Sequence, residues 1–187
     1  MLQESFVISM TKEKREGFYV ELGTGDPYEN SNTFLLESRF GWKGLGIDNS
    51  NSVCDKYNSS DRVNKCIKAN ALTFNYLEYF KQNNFPKNID FLQIDIDGHE
   101  ESRCLLALLA LPMLSYRFSV IIIEHDLCRN YKWASMRDAQ REILSSLGYR
   151  LIVQAMGEDW WVDPDLIDRD LFESEIRIGN AVPRSSK

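Results

Sequence analysis

Short apolar runs alternate with amphipathic stretches from residue 17 onward. Phe18, Tyr19, Val20 and Leu22 make a run too short for a helix, which predicts a buried strand. The same pattern recurs at Leu45 to Ile47, Val63 to Lys68, Ile89 to Ile94, Phe118 to Ile123, Tyr149 to Val153 and Trp160 to Val162. Of these, Phe118 to Ile123 is the plainest, a β-branched and apolar run with no polar face except at Ser119. Helical spacing fills the gaps. Phe34, Leu35, Leu36 and Phe40 predict a helix over 31–40, with Ser31, Asn32 and Thr33 available as caps and Gly41 as the stop. Weaker helices are predicted over about 51–58 and over 73–81, the second carrying Phe74, Leu77 and Phe80. Cys104, Leu105, Leu108 and Leu109 mark another that stops near Pro112, and Trp133 to Leu147 a last one closed by Gly148.

Strand and helix in strict alternation define an α/β fold. The prediction is a single doubly wound domain with a mostly parallel sheet and helices on both faces. Residues 17–165 form that domain, residues 1–16 an N-terminal helical or irregular segment, and residues 166–187 a C-terminal segment whose polar end, Pro183 to Lys187, is expected to fray. No internal repeat or low-complexity tract interrupts the pattern.

Composition narrows the picture without changing it. At 187 residues, 43% hydrophobic and 27% charged, the chain buries a core without disulfide or metal staples. No stretch approaches the roughly 20 apolar residues of a membrane span, and the N-terminus lacks a signal-peptide pattern, so a cytoplasmic protein is expected. Cys54, Cys66, Cys104 and Cys128 are widely spaced with no C-x-x-C pair, which predicts reduced, non-catalytic thiols. The net charge of -6 argues against a nucleic-acid partner, because phosphate binding draws on clustered Lys and Arg. A small-molecule or carbohydrate acceptor fits better.

Every polar cluster falls just after a predicted strand. Glu21-Leu-Gly-Thr-Gly-Asp26 follows the first, Asp48-Asn49 the second, Asn70-Ala71 the third, Asp95 and Asp97 the fourth, and Glu124-His125-Asp126 the fifth. In open α/β sheets ligands bind at those carboxyl ends, near the point where strand order reverses. Gly23 and Gly25 permit a sharp turn and close backbone approach to a ligand, and Asp48 offers a carboxylate to a ribose diol. The nicotinamide fingerprint requires a third glycine three residues on, and that position is Tyr28. A cofactor without a pyrophosphate, such as S-adenosylmethionine, tolerates the wider loop.

Together with Ser31-Asn-Thr-Phe-Leu-Leu-Glu37, Phe40-Gly-Trp-Lys-Gly44, Ile89-Asp-Phe-Leu-Gln-Ile-Asp-Ile-Asp-Gly98 and Val120-Ile-Ile-Ile-Glu-His125, the glycine segment resembles the FkbM-type methyltransferases over about residues 17–155. These are class I S-adenosylmethionine-dependent enzymes that typically O-methylate. The chain departs from them at Pro27, where another glycine is usual, and at Asn49-Ser50, in place of a proline-containing turn. The resemblance implies that Gly23 and Gly25 bring backbone N–H groups to the methionine carboxylate, with Glu21, Thr24, Asp26, Asn32 and Asn49 also among the cofactor-binding residues. Asp48 then holds the ribose, Asn70 or Ala71 lies by the adenine, and Asp95 and Asp97 face the methionine end and the acceptor.

Asp97, Glu124, His125 and Asp126 leave three readings open. They hold Mg²⁺ or another divalent cation, with Asp97, Glu124 and His125 as ligands. Alternatively Asp97 and His125 act without metal, with His125 or His99 as the general base. The plain alternative is that the acids cap helix N-termini and His125 is satisfied in a loop. Trp160 and Trp161 are read as packing or as an acceptor platform. Two functional readings of different class follow, an O-methyltransferase acting on a small-molecule or carbohydrate hydroxyl and a non-catalytic cofactor-binding module. A nicotinamide-dependent oxidoreductase ranks behind both because of Tyr28.

Overall fold

A computed structural model of the chain describes residues 2–96, 103–127, 131–155 and 157–173. Its seven strands, β1 (Phe18–Leu22), β2 (Lys43–Asp48), β3 (Cys66–Lys68), β4 (Asn88–Ile94), β5 (Arg117–Glu124), β6 (Arg150–Gln154) and β7 (Glu158–Val162), form one sheet. The order is β3-β2-β1-β4-β5-β7-β6. Strands β1 to β5 pair in parallel, while β7 runs antiparallel to both β5 and β6. The sheet is mostly parallel, as the alternation predicts. After β1 the chain winds outward to β3, then returns to β4 on the other side of β1, so the strand order reverses between β1 and β4.

Each face of the sheet is covered, which is why the strands read as continuous apolar runs. Val20, Leu22, Leu92, Ile94, Ile121 and Ile123 point to one side, where Ala107 and Leu108 of α5 (Arg103–Ala110) and Leu144 of α6 (Ala134–Ser146) meet them. Tyr19, Phe91, Val120 and Ile122 point to the other, against Leu36 of α2 (Phe34–Phe40) and Phe6, Val7 and Met10 of α1 (Leu2–Met10). Helix α1 is therefore part of the core. Its Phe6 ring lies 5.0 Å from that of Trp160, and Glu4 Oε1 accepts the backbone N–H of Leu35 at 2.7 Å. Trp160 and Trp161 are both buried in packing and form no exposed platform.

Three elements start three residues later than the sequence predicts, each because a side chain takes a backbone group. Strand β3 starts at Cys66, not Val63, because the Val63 N–H is bonded to Glu37 and its side chain is 78% exposed. Helix α2 starts at Phe34, since Ser31 Oγ accepts the N–H groups of Thr33 and Phe34 in a turn. After α3 (Asn51–Ser59) and β3, helix α4 (Tyr76–Gln82) starts three residues late, where Asn75 caps it by accepting the Glu78 N–H at 3.2 Å. Asn75→Ala is expected to cost about 1 kcal/mol in a denaturant titration. No loss would show that the packing of Tyr76 and Phe80 alone starts the helix. Among the described residues no helix is long and apolar enough to cross a membrane.

Candidate active site

Parallel pairing puts the ends of β1, β2, β4 and β5 at one edge of the sheet. Leu22 is level with Ile47 and Ile94, and Ile94 with Ile123, so Gly23, Asp48, Asp95 and Glu124 stand side by side there. Gly23 sits at the reversal point with φ +87°, donating its N–H to Ile47 O at 2.8 Å, while the Asp95 N–H reaches Leu22 O at 2.9 Å. The fit leaves no room for a side chain, since a Cβ on Gly23 would stand 1.7 Å from the Asp95 carbonyl oxygen.

A cleft of about 210 Å³ opens at this edge, lined among others by Gly23, Asp48, Asn49, Asn70, Ala71 and Ile96. Asp48 Oδ1 accepts the Ser50 N–H at 2.8 Å, and among the described residues Oδ2 has no partner. Ser50, not Asp48, caps α3 through the Val53 N–H. On the far wall Asn70 Oδ1 accepts the Leu72 N–H at 2.9 Å, and Tyr76 Oη donates to the Ala71 carbonyl at 2.7 Å. Both bonds fix the loop that carries Asn70 and Ala71.

Behind the cleft lies a buried polar layer. Glu21 accepts a hydrogen bond from Thr33 Oγ1 at 2.8 Å. Burial pushes its carboxyl up to about 7, against the opposing pull of the Thr33 hydroxyl and the Arg62 guanidinium. Thr24 is buried and donates to Cys66 Sγ at 3.4 Å. Gly25 has φ +56° and open space where a Cβ would be. Asp26 accepts the N–H groups of Tyr28 and Glu29 and pairs with Lys56. Lys56, then those two N–H groups, hold its carboxyl down at about 2. Asn32 is half-buried on the same loop.

At the ends of β4 and β5, burial and then the neighbouring Asp95 and Asp126 carboxyls raise Glu124 well above the usual carboxylate range. His125 is buried too, but its ring looks elsewhere. Nδ1 accepts the Leu127 N–H at 3.2 Å, and Nε2 lies 3.7 Å from Asp159, which Arg141 grips with two bonds of 2.6 and 2.8 Å.

The sequence profile of the Methyltransferase FkbM domain matches residues 11–151. The chain belongs to the FkbM methyltransferase family. No curated protein sequence matches it. Solved structures similar to this FkbM-family chain include human methyltransferase-like protein 13 in complex with SAH, 14% identical, covering 100% of this chain and 93% of that one at a TM-score of 0.56. A putative rRNA-methylase from Clostridium thermocellum is 12% identical, covering 87% and 96% at 0.57. Aeropyrum pernix fibrillarin, bound to S-adenosyl-L-methionine, is 10% identical, covering 86% and 76% at 0.52. At these identities the likeness is one of fold.

Of the residues expected from sequence, this FkbM methyltransferase domain lines its cleft with Gly23, Asp48, Asn49, Asn70 and Ala71. Asp95 stands beside it, bonded to β1 through its backbone. Glu21 and Thr24 lie behind it in the buried layer, while Asp26 braces its own loop against α3. Of the expected metal set of Asp97, Glu124 and His125, Glu124 stands with Asp95 and Asp126 while His125 turns to Asp159. Among the described residues no group of three or more His, Cys, Asp or Glu is placed to hold a metal ion, and Asp97, like His99 and Cys128, lies outside those residues. His125, expected as one candidate for the general base, is buried outside the cleft lining, with Nδ1 accepting from Leu127 and Nε2 facing Asp159 at 3.7 Å. The ring braces the turn after β5. Sequence reasoning missed Ile96 and Arg103 in the cleft wall, and Arg62 and Glu37 behind it. Only the apolar Ile96 between two acids at a strand end gave a readable signal.

Proposed function

We propose that this domain transfers the methyl group of S-adenosylmethionine to a hydroxyl oxygen of a small-molecule or carbohydrate acceptor. The observation that carries the reading is the cleft at the strand-order reversal, with a Gly23 that admits no side chain and an Asp48 that retains a carboxylate oxygen. That oxygen suits a ribose hydroxyl, and Asn70, Ala71 and Ile96 give the mixed polar and apolar walls an adenine needs. The open backbone at Gly25 suits close approach of the methionine end. Human methyltransferase-like protein 13 and the fibrillarin carry SAH and S-adenosyl-L-methionine in the same fold, which supports the choice of cofactor.

When bound, the cofactor supplies an electrophilic sulfonium methyl. The chain's own part is to hold an acceptor hydroxyl in line and accept its proton. We assign the orienting role to Asp95 and Glu124, which stand at adjacent strand ends beside the cleft. Asp97 keeps its sequence-based role as an acceptor-side acid. The net charge of -6 supports an acceptor that is not a polyanion, and free thiols at Cys54, Cys66 and Cys104 fit the cytoplasmic location expected from sequence.

Calorimetric titration with S-adenosylmethionine, with NAD as the comparison, tests the cofactor. Asp48→Ala is expected to weaken binding by about 1–3 kcal/mol, the range for a lost charge-assisted hydrogen bond, with the melting temperature nearly unchanged. Equal binding by wild type and variant would remove Asp48 from the site, and preference for NAD would overturn the cofactor assignment.

A further inference from the structure

Arg62 is a cation with no access to solvent, because its side chain is fully enclosed. A guanidinium has five N–H donors, and here each has an acceptor. Nε donates to Glu37 Oε2 at 3.1 Å, Nη1 to the Pro27 carbonyl at 2.7 Å and to Ser31 Oγ at 3.2 Å, and Nη2 to Thr33 Oγ1 at 2.9 Å and Tyr19 Oη at 3.5 Å. The rings of Tyr57 and Phe34 lie 4.8 and 5.6 Å from its central carbon. Glu37 is the counter-ion, and it is tied in turn to the Val63 N–H and to Asn64 Nδ2.

Three of the five acceptors belong to one stretch of chain. Pro27, Ser31 and Thr33 all lie between the glycine turn and α2, in a segment that has no helix or strand of its own over residues 23–33. Its backbone is left-handed at Gly23, Gly25 and Asn30. With no ladder of backbone hydrogen bonds, the segment takes its shape from side chains. Asp26 fixes its first turn and Ser31 its last. Among the described residues Arg62 alone grips both Pro27 and the Ser31–Thr33 end, and through Thr33 it reaches Glu21 on β1. It does not line the cleft, so any effect on a ligand passes through the loop.

We propose that Arg62 is the positioning residue that holds residues 23–33 in their ligand-ready shape before any cofactor arrives. The proposal rests on the reading of the cleft as the S-adenosylmethionine site. A loop that must order itself on binding loses affinity for its ligand, whereas one already held does not. Lysine keeps the charge of Arg62 but lacks the planar fork, so it cannot bond all five acceptors at once.

The test uses the full chain with Arg62→Lys, Arg62→Ala and Ser31→Ala, and with Leu111→Ala as a control that damages the core elsewhere. Hydrogen exchange without cofactor is expected to rise about tenfold in peptides spanning 23–33 of Arg62→Lys, while β4 and β5 keep their protection. S-adenosylmethionine affinity should fall at least tenfold in Arg62→Lys and less in Ser31→Ala, and stay unchanged in Leu111→Ala despite its lower melting temperature. If Arg62→Ala fails to fold, Arg62→Lys and Ser31→Ala decide the matter. Unchanged loop exchange, exchange raised throughout the sheet, or an affinity loss equalled by Leu111→Ala would overturn the proposal. A wild-type protein that binds no S-adenosylmethionine would instead overturn the cofactor reading, with the exchange result still deciding whether Arg62 orders the loop.

Discussion

Gly23→Ala is expected to destabilise the domain by about 3–5 kcal/mol and to abolish cofactor binding. The backbone φ of +87° already strains any residue with a Cβ, and the added carbon would collide with the Asp95 carbonyl where β1 and β4 meet. Relief requires prising those two strands apart at the strand-order reversal. For a chain of this size the loss corresponds to a fall in melting temperature on the order of 10 °C, readable by differential scanning calorimetry. Gly25→Ala is the matched comparison, since it shares the left-handed backbone but meets nothing within 4 Å. It should cost about 1 kcal/mol. If both variants melt alike, the contact with Asp95 contributes nothing beyond backbone strain.

A second large effect concerns Glu21 and pH. Burial raises its folded-state pKa to about 7 from an ordinary value of 4.5. Between those two values the unfolded chain has released this proton and the folded chain still holds it. Stability therefore falls as pH rises from about 4.5 to about 7, by roughly 3 kcal/mol for this group, and is flat above. Glu21→Gln mimics the protonated form and still accepts from Thr33, so it removes that slope. Urea titrations should find the variant and wild type equally stable near pH 4.5 and the variant more stable by up to about 3 kcal/mol at pH 8. A difference that is the same at both pH values would mean that folding does not shift the Glu21 pKa.

The fold was legible because the physics that builds it is local and repeated. Strands buried on both faces must be apolar along their whole length, as Phe118 to Ile123 and Ile89 to Ile94 are, and the polar residue that ends each run marks the ligand edge. Gly23, Asp48, Asn70 and Asp95 could be placed on that rule. What sequence could not give was the direction of side chains in the turns beyond the strands. His125 follows Glu124 immediately, yet one carboxyl joins Asp95 and Asp126 while the ring turns to Asp159, a choice made by β7 and α6. Arg62 ends the polar stretch Asn58 to Arg62 between the predicted helix over 51–58 and the predicted strand from Val63, and only the tertiary meeting of Tyr19, the 27–33 segment and Glu37 encloses it. The same enclosure shortened β3, since backbone and side-chain donors at Val63 and Asn64 turn to Glu37.

Because one guanidinium serves acceptors from three separate stretches of chain, substitutions at Tyr19, Ser31, Thr33, Glu37 and Arg62 will not add. Removing Glu37 leaves a buried cation without its counter-ion, and removing Arg62 leaves a buried carboxylate in the same predicament, while removing both spares each the penalty. A library that changes these positions one at a time will score every one as intolerant. Viable alternatives for the loop will be found only by varying them as a set.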